Sequence, residues 1–260
     1  NFTQKSARPL SLEEIPPPAA RMDGHYYWVD CEGEPQTVLL PFLERLGLDE
    51  LSLATIFDAH GPPRFSTSKS CLHFTLCEAR IVNGQFITRP VLVILGPHFL
   101  ITVHSGPVDF LREVERTYRE DFHSHAQSHG FLLFELADHL THGYRLTLTL
   151  IGEMFETIEA QLLVETEDEI FHEVSNLIRW LLEFRKIIIS ARETIHELAT
   201  RKSPFISATT HPFLEKKGVL LQRLGAYATT EWEVLSESLA LYMGIVSYRT
   251  NQVLNRLTMV

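Results

Sequence analysis

Histidines and carboxylates come first, because their spacing could hold a metal or move a proton. His123, His125 and His129 crowd one short run. On a helix His125 and His129 share a face, and Zn²⁺ accepts two imidazoles at that spacing. A third ligand, such as a carboxylate, is not evident beside them. His139 and His142 are three apart with Asp138 adjacent, and Glu135 stands four before His139. Pairings of that kind are common by chance. The chain has no G-x-S-x-G, no H-E-x-x-H, no phosphate loop, no G-x-G-x-x-G and no C-x-x-C. No enzymatic activity and no organic cofactor are expected.

Charge is the second chemical signal. Asp plus Glu number 33 and Lys plus Arg 23, giving a net −10. An acid surface repels phosphate backbones, so a nucleic-acid partner is not expected. Between Leu150 and Thr200, eleven acids face four bases, a net −7 of that −10. The densest point is Glu165, Glu167, Asp168 and Glu169, at an expected turn between two helices. These acids make either a solvated face or a funnel that draws in cations.

Three cysteines do not suit a disulfide framework, and a reducing compartment is the simplest reading. A membrane span needs about 18 consecutive apolar residues. None exists here, since Val91–Leu95 and Ile178–Ile189 are short or broken by charge. No secretory leader opens the chain and no Met begins it, so it is expected to be a piece of a longer protein.

The elements that must carry these residues change period along the chain. Residues 1–24, with Pro16-Pro17-Pro18, read as an extended lead-in. Tyr26–Asp30 is strand-like, Thr37–Leu46 helical and stopped by Gly47, and Leu51–Phe57 a second short helix. Large apolar residues alternate over Cys71–Cys77. Asn83-Gly84 reads as a tight hairpin turn, and Val91–Leu95 and His98–His104 complete a mixed sheet. Pro107 suits a first helical position, with a helix over Val108–Tyr118. A long helical pattern then runs from about Ser128 to Thr200, broken at the acidic cluster. From Pro212 onward Leu221, Leu224, Ala228, Trp232, Leu235, Leu239, Tyr242, Val246, Val253 and Leu257 recur at steps of three, four or seven. A helix of that length is expected to exceed one subunit's core, which implies a bundle, an oligomer or a stalk.

Several of these segments resemble CorA-family metal-ion transporters. Thr250-Asn251-Gln252-Val253-Leu254-Asn255-Arg256-Leu257-Thr258 is similar to the family's T-N-x-V-(M/L)-x-x-L-T entry into the first transmembrane helix. Phe99-Leu100-Ile101-Thr102-Val103-His104 resembles its F-L-(I/V)-T-V-H strand, and Tyr27-Trp28-Val29-Asp30 its opening strand. Leu46-Gly47-Leu48, Leu53–Phe57 and Pro63-Arg64-Phe65 resemble the stretch between. The resemblance covers about residues 25–260.

It implies an α+β fold, with an N-terminal α/β/α sandwich around a mixed sheet over residues 25–125. Long antiparallel helices and a stalk helix over 126–260 would follow, the whole funnel-like. It implies a homopentamer in an inner (plasma) membrane, this part cytoplasmic, with membrane helices beyond this sequence. The substrate is then a divalent cation (Mg²⁺, Co²⁺ or Zn²⁺), which could also be the gating ligand. Asn251 would face the pore mouth, and Leu254 and Leu257 would form its constrictions. Family members gated by Mg²⁺ carry carboxylates where this chain has Thr55 and Lys216, and these two cannot bind a hard cation. Asp58 and Glu215 are the nearest substitutes. The alternatives are a soluble helical oligomerisation or sensor scaffold and a metallohydrolase built on His123–His129.

Overall fold

A computed structural model describes residues 10, 15, 25–56, 65–125, 130–162 and 168–258. The N-terminal part holds β1 (Tyr27–Glu32), α1 (Gln36–Arg45), α2 (Glu50–Ile56), β2 (Ser66–Thr67), β3 (Leu72–Val82), β4 (Gln85–Leu95) and β5 (Phe99–His104). Four helices follow: α3 (Asp109–His125), α4 (Gly130–Leu162), α5 (Asp168–Thr200) and α6 (His211–Thr258).

The sheet runs β1-β5-β4-β3-β2, with β1 parallel to β5 and the other pairs antiparallel. It is therefore mixed, as the alternating patterns predict. Period-two alternation gives it two apolar faces. Leu72, Phe74, Leu76, Val93, Leu95 and Leu100 enter one core with α3, α4, α5 and α6. Cys71, Ile94, Phe99, Ile101, Val29 and Cys31 enter another with α1 and α2. Helices on both faces make this an α/β/α arrangement.

Asn83 (φ 51°) and Gly84 (φ 72°) close the β3–β4 hairpin, with Val82 opposite Gln85. Two successive positive φ angles fit the twist of the flanking strands, which is why Asn-Gly occupies the turn. β3 runs five residues past the expected Cys77. Its outer half stays paired with β4 to the turn and docks on the helices. The Tyr144 hydroxyl donates to the Cys77 carbonyl at 2.6 Å, and the Thr147 hydroxyl to the Ala79 carbonyl at 2.9 Å. Phe86 stacks on Trp180 and meets Phe184 edge-on, with centroids 6.2 and 6.1 Å apart.

The helix boundaries differ from expectation at α3, which starts two residues after Pro107 and runs on to His125. A carboxylate from the sheet sets its start. Glu78 Oε1 accepts from the backbone N–H of Asp109 at 2.6 Å and of Phe110 at 3.3 Å. These are two of the donors that a helix start leaves unpaired. Burial raises the Glu78 pKa, opposed by the nearby Arg80. Gly130 opens α4 rather than lying within a longer helix. A Cβ there would stand 1.8 Å from the Thr210 hydroxyl, so only glycine admits the segment that leads into α6.

Helices α4 and α5 have 33 residues each and α6 has 48, about 70 Å of helix. The expected stripe on α6 meets α5 and α4 further than anticipated. Leu214, Leu221, Leu224, Ala228, Leu235 and Tyr242 are all buried within the one chain. The antiparallel α5 is itself long enough to cover two-thirds of α6. Only the part after Tyr242 outruns it.

Candidate functional site

Two parts of the fold could bear on function: the strand pair that carries the sequence motifs, and the exposed length of α6.

The strand pair is β1 with β5. Parallel register sets Trp28 opposite Leu100, Asp30 opposite Thr102 and Glu32 opposite His104. The indole N–H of Trp28 donates to Thr102 Oγ1 at 3.1 Å, and the Thr102 hydroxyl donates in turn to the Asp30 carboxylate. His104 Nε2 lies 3.0 Å from the same Asp30 oxygen, and its Nδ1 lies 2.6 Å from the Gly106 carbonyl. Thus Tyr27–Asp30 and Phe99–His104, paired 72 residues apart in sequence, are two sides of one hydrogen-bonded ladder. Thr102 and His104 are buried, so the network fixes where β5 hands over to α3. It reads as architecture.

The second part is α6. Beside the buried stripe lies an exposed one at steps of seven, interrupted at Leu220, which is half-buried against the core. Phe213, Tyr227, Val234, Leu241 and Tyr248 are 50, 51, 42, 69 and 65% exposed. An apolar ridge repeating every seven residues is the seam by which helices pair. Toward its end the ridge borders a shallow groove lined by Ala240, Leu241, Gly244, Ile245, Tyr248 and Gln252. Ala240 and Gly244, four apart, let another backbone come close. After Tyr242 the helix shows Met243, Ile245, Tyr248 and Leu254 on several faces.

The sequence-predicted residues distribute as follows. Asn251 and Leu254 lie exposed one turn apart on the last turns of α6. Leu257 lies in the same helix, its side chain outside the described residues. Lys216 and Glu215 are exposed near the other end of α6, where the Lys216 ammonium lies 5.8 Å from the Phe213 ring centroid. Thr55 is in α2 with its side chain not described, and Asp58 falls outside the described residues. Glu165 and Glu167 also fall outside them. Asp168 and Glu169 open α5, their side chains not described. Of the other acids on this hairpin, Glu153, Glu156, Glu173, Glu183 and Glu193 are exposed. His123 and His125 end α3 without described side chains, and His129 is outside the described residues.

Among the described residues no group of three or more His, Cys, Asp or Glu could hold a metal. Among them, too, no helix is long and apolar enough to cross a membrane. The exposed heptad ridge was not anticipated. Counting sevens from Phe213 would have exposed it, but the stronger buried stripe on the same helix hides it.

Comparison with known proteins bears on this arrangement. The family described as CorA-like Mg²⁺ transporter protein matches residues 23–260. The cobalt/magnesium transport protein CorA of Methanocaldococcus jannaschii is 20% identical over 240 residues, covering 92% of this chain and 75% of that protein. The complete structure of the CorA magnesium transporter from the same organism superposes with a TM-score of 0.80 at 19% identity, over 95% of this chain and 77% of that one. The ZntB cytoplasmic domain from Vibrio parahaemolyticus superposes with a TM-score of 0.69 at 14% identity, over 88% and 89%.

Proposed function

The chain belongs to the CorA family of transporters, not to a family of enzymes, and from that premise we propose that it is the cytoplasmic funnel of a divalent-cation transporter. In this reading the chain assembles as a homopentamer in the plasma membrane, with α6 as the stalk around the pore axis. The observation that carries the reading is the ridge Tyr227, Val234, Leu241, Tyr248, 42–69% exposed among the described residues, which Phe213, resting edge-on against Phe134 of α4, extends toward the start of the helix. Neighbouring copies of α6 would cover it.

Each part then has a physical task. The exposed acids of α4 and α5 raise the local concentration of cations near the assembly. Rotation of one subunit against the next shifts its stalk, and the stalk carries that shift to the pore. At the mouth, a ring of Asn251 carboxamides replaces part of a hydrated ion's outer shell. Rings of Leu254 and Leu257 close by dewetting when they narrow. The transported ion is Mg²⁺, Co²⁺ or Zn²⁺.

Gating differs from a scheme in which a divalent cation bridges subunits at Thr55 and Lys216. A hydroxyl and an ammonium do not make a site for a hard cation. We place the Lys216 ammonium where such a cation would sit, so that a fixed charge replaces an exchangeable one.

The test is ion flux into vesicles containing the full-length protein, comparing Mg²⁺, Co²⁺ and Zn²⁺. Uptake of at least one, made leaky by Leu254→Asn, is the expected result. Absence of flux for all three, with the protein correctly inserted, would leave the oligomeric scaffold as the better reading.

A further inference from the structure

Apart from the α6 ridge, the long helices show two outward apolar faces, one on α4 and one on α5. On α4, Leu146 and Leu150 are exposed, with exposed Glu153 one turn further on. On α5, Leu182 and Ile189 are exposed, with half-buried Ile178 one turn before them. Steps of three, four and seven put each set on one side of its helix.

Their charges are opposite. All four bases between Leu150 and Thr200 lie on α5 and flank its face: Arg179, Arg185, Lys186 and Arg192. Arg179 donates to the Asn176 carboxamide at 2.8 Å on its own helix. Among the described residues none of the four has a carboxylate within ion-pair distance. Glu183 and Glu193 are interspersed and exposed, so four bases against two acids leave the strip positive. Beside the α4 face, Glu153 and Glu156 are exposed, again with no base within ion-pair distance among the described residues. Arg145 of α4 is occupied by His142 at 3.1 Å.

The two faces also stand at one height. Helix α4 runs beside α6 in the same direction, with Gly130 against Thr210 and Asp138 paired to Lys217. Eight residues on, Leu146 is level with Gly225, and Ile188 of α5 lies against Gly225. Leu146 is therefore level with the neighbourhood of Ile189. From there Glu153 along α4 and Arg179 along α5 reach levels about 3 Å apart, at about 1.5 Å per residue.

We propose that these faces form an outer contact between copies of this chain: the α4 face of one copy seats on the α5 face of its neighbour, Leu146 and Leu150 against Leu182 and Ile189, Glu153 toward Arg179. The inference rests on the pentamer reading above and gives that ring an outer wall separate from the α6 ridge. A cyclic ring of this kind joins two different, complementary faces carried by every chain. Rotation about an axis along the long helices keeps height, so only level faces can meet. These two are level, apolar at the centre and opposite in charge at the rim. An anionic lipid surface would also suit the bases, but they stand far from it. Gly225 lies 33 residues before Thr258, about 50 Å along the helix that leads to the membrane in that reading.

The experiment is cross-linking of the full-length protein carrying Leu146→Cys and Ile189→Cys together, with a short bismaleimide, beside its native mass. Each chain then has one cysteine on each face, so links run head to tail. Denaturing gels should show a ladder from dimer to pentamer, and either substitution alone only the background of the native cysteines. Adding Arg179→Glu should cut the ladder several-fold, and adding Glu153→Arg to that variant should restore it. A pentameric native mass without a ladder, or with links that stop at dimers, overturns this contact and leaves the pentamer standing. A ladder unchanged by Arg179→Glu overturns it too. A monomeric native mass overturns both this contact and the reading it rests on.

Discussion

Helix α6 is one continuous helix in two environments. Before Tyr242, its inward residues lie in a core shared with α4, α5 and the sheet, and Leu214, Leu221, Ala228 and Leu235 are completely buried. After Tyr242, apolar residues continue, and among the described ones Met243, Ile245, Tyr248 and Leu254 are 41–65% exposed. Helix propensity alone holds a helix weakly in water, and packing does most of the work. The first two-thirds are therefore stabilised by the chain itself. The last third keeps its apolar surface for something outside it, which in our reading is another copy and then the membrane.

That contrast can be broken by substitution. The largest effects belong to the inner stripe. Leu221→Ala or Phe184→Ala removes a fully buried side chain and should cost about 2–5 kcal/mol in denaturant unfolding. A loss near zero at Leu221 would mean that the inner stripe of α6 is not seated in the core, and one at Phe184 that α5 does not pack on Phe86 and Tyr144. Next comes the α3 start. Glu78→Ala leaves two helix-terminal N–H groups without their acceptor and should cost about 1–3 kcal/mol, read from the same unfolding curves.

The outer ridge should behave oppositely. Leu241→Ala, at 69% exposure, should change the stability of the isolated chain by less than about 0.5 kcal/mol. The same change should weaken self-association, measured by sedimentation. Smallest of all is the effect of metal. If Thr55 and Lys216 stand at the family's regulatory positions, as we propose, millimolar Mg²⁺ should leave Tm essentially unchanged, because a ligand stabilises only what it binds. A clear rise in Tm that disappears in Asp58→Ala or Glu215→Ala would show that a carboxylate site has moved to those residues.

Much of this architecture was legible in the sequence. Four of the five sheet strands, the Asn83-Gly84 turn, the paired long helices and the buried stripe of α6 follow from local periodicity and turn chemistry, whereas the two-residue β2 does not. What sequence could not give is set by contacts distant in the chain. The start of α3 depends on Glu78, 31 residues earlier. The need for glycine at 130 depends on Thr210, 80 residues later. The Trp28, Asp30, Thr102 and His104 network appears only when β1 and β5 pair. For the site the balance is less favourable. Asn251 and Leu254 were named from motif resemblance and lie on the exposed end of α6. The ridge that argues for assembly was masked by the stripe beside it.

The central claim is that copies of this chain cover one another's α6 ridge, and the native mass of the full-length protein tests it directly. The account predicts a pentamer for the wild type, and its dissociation when Leu241 and Tyr248 are both replaced by Glu. A wild-type monomer, or a double variant that assembles unchanged, would contradict it.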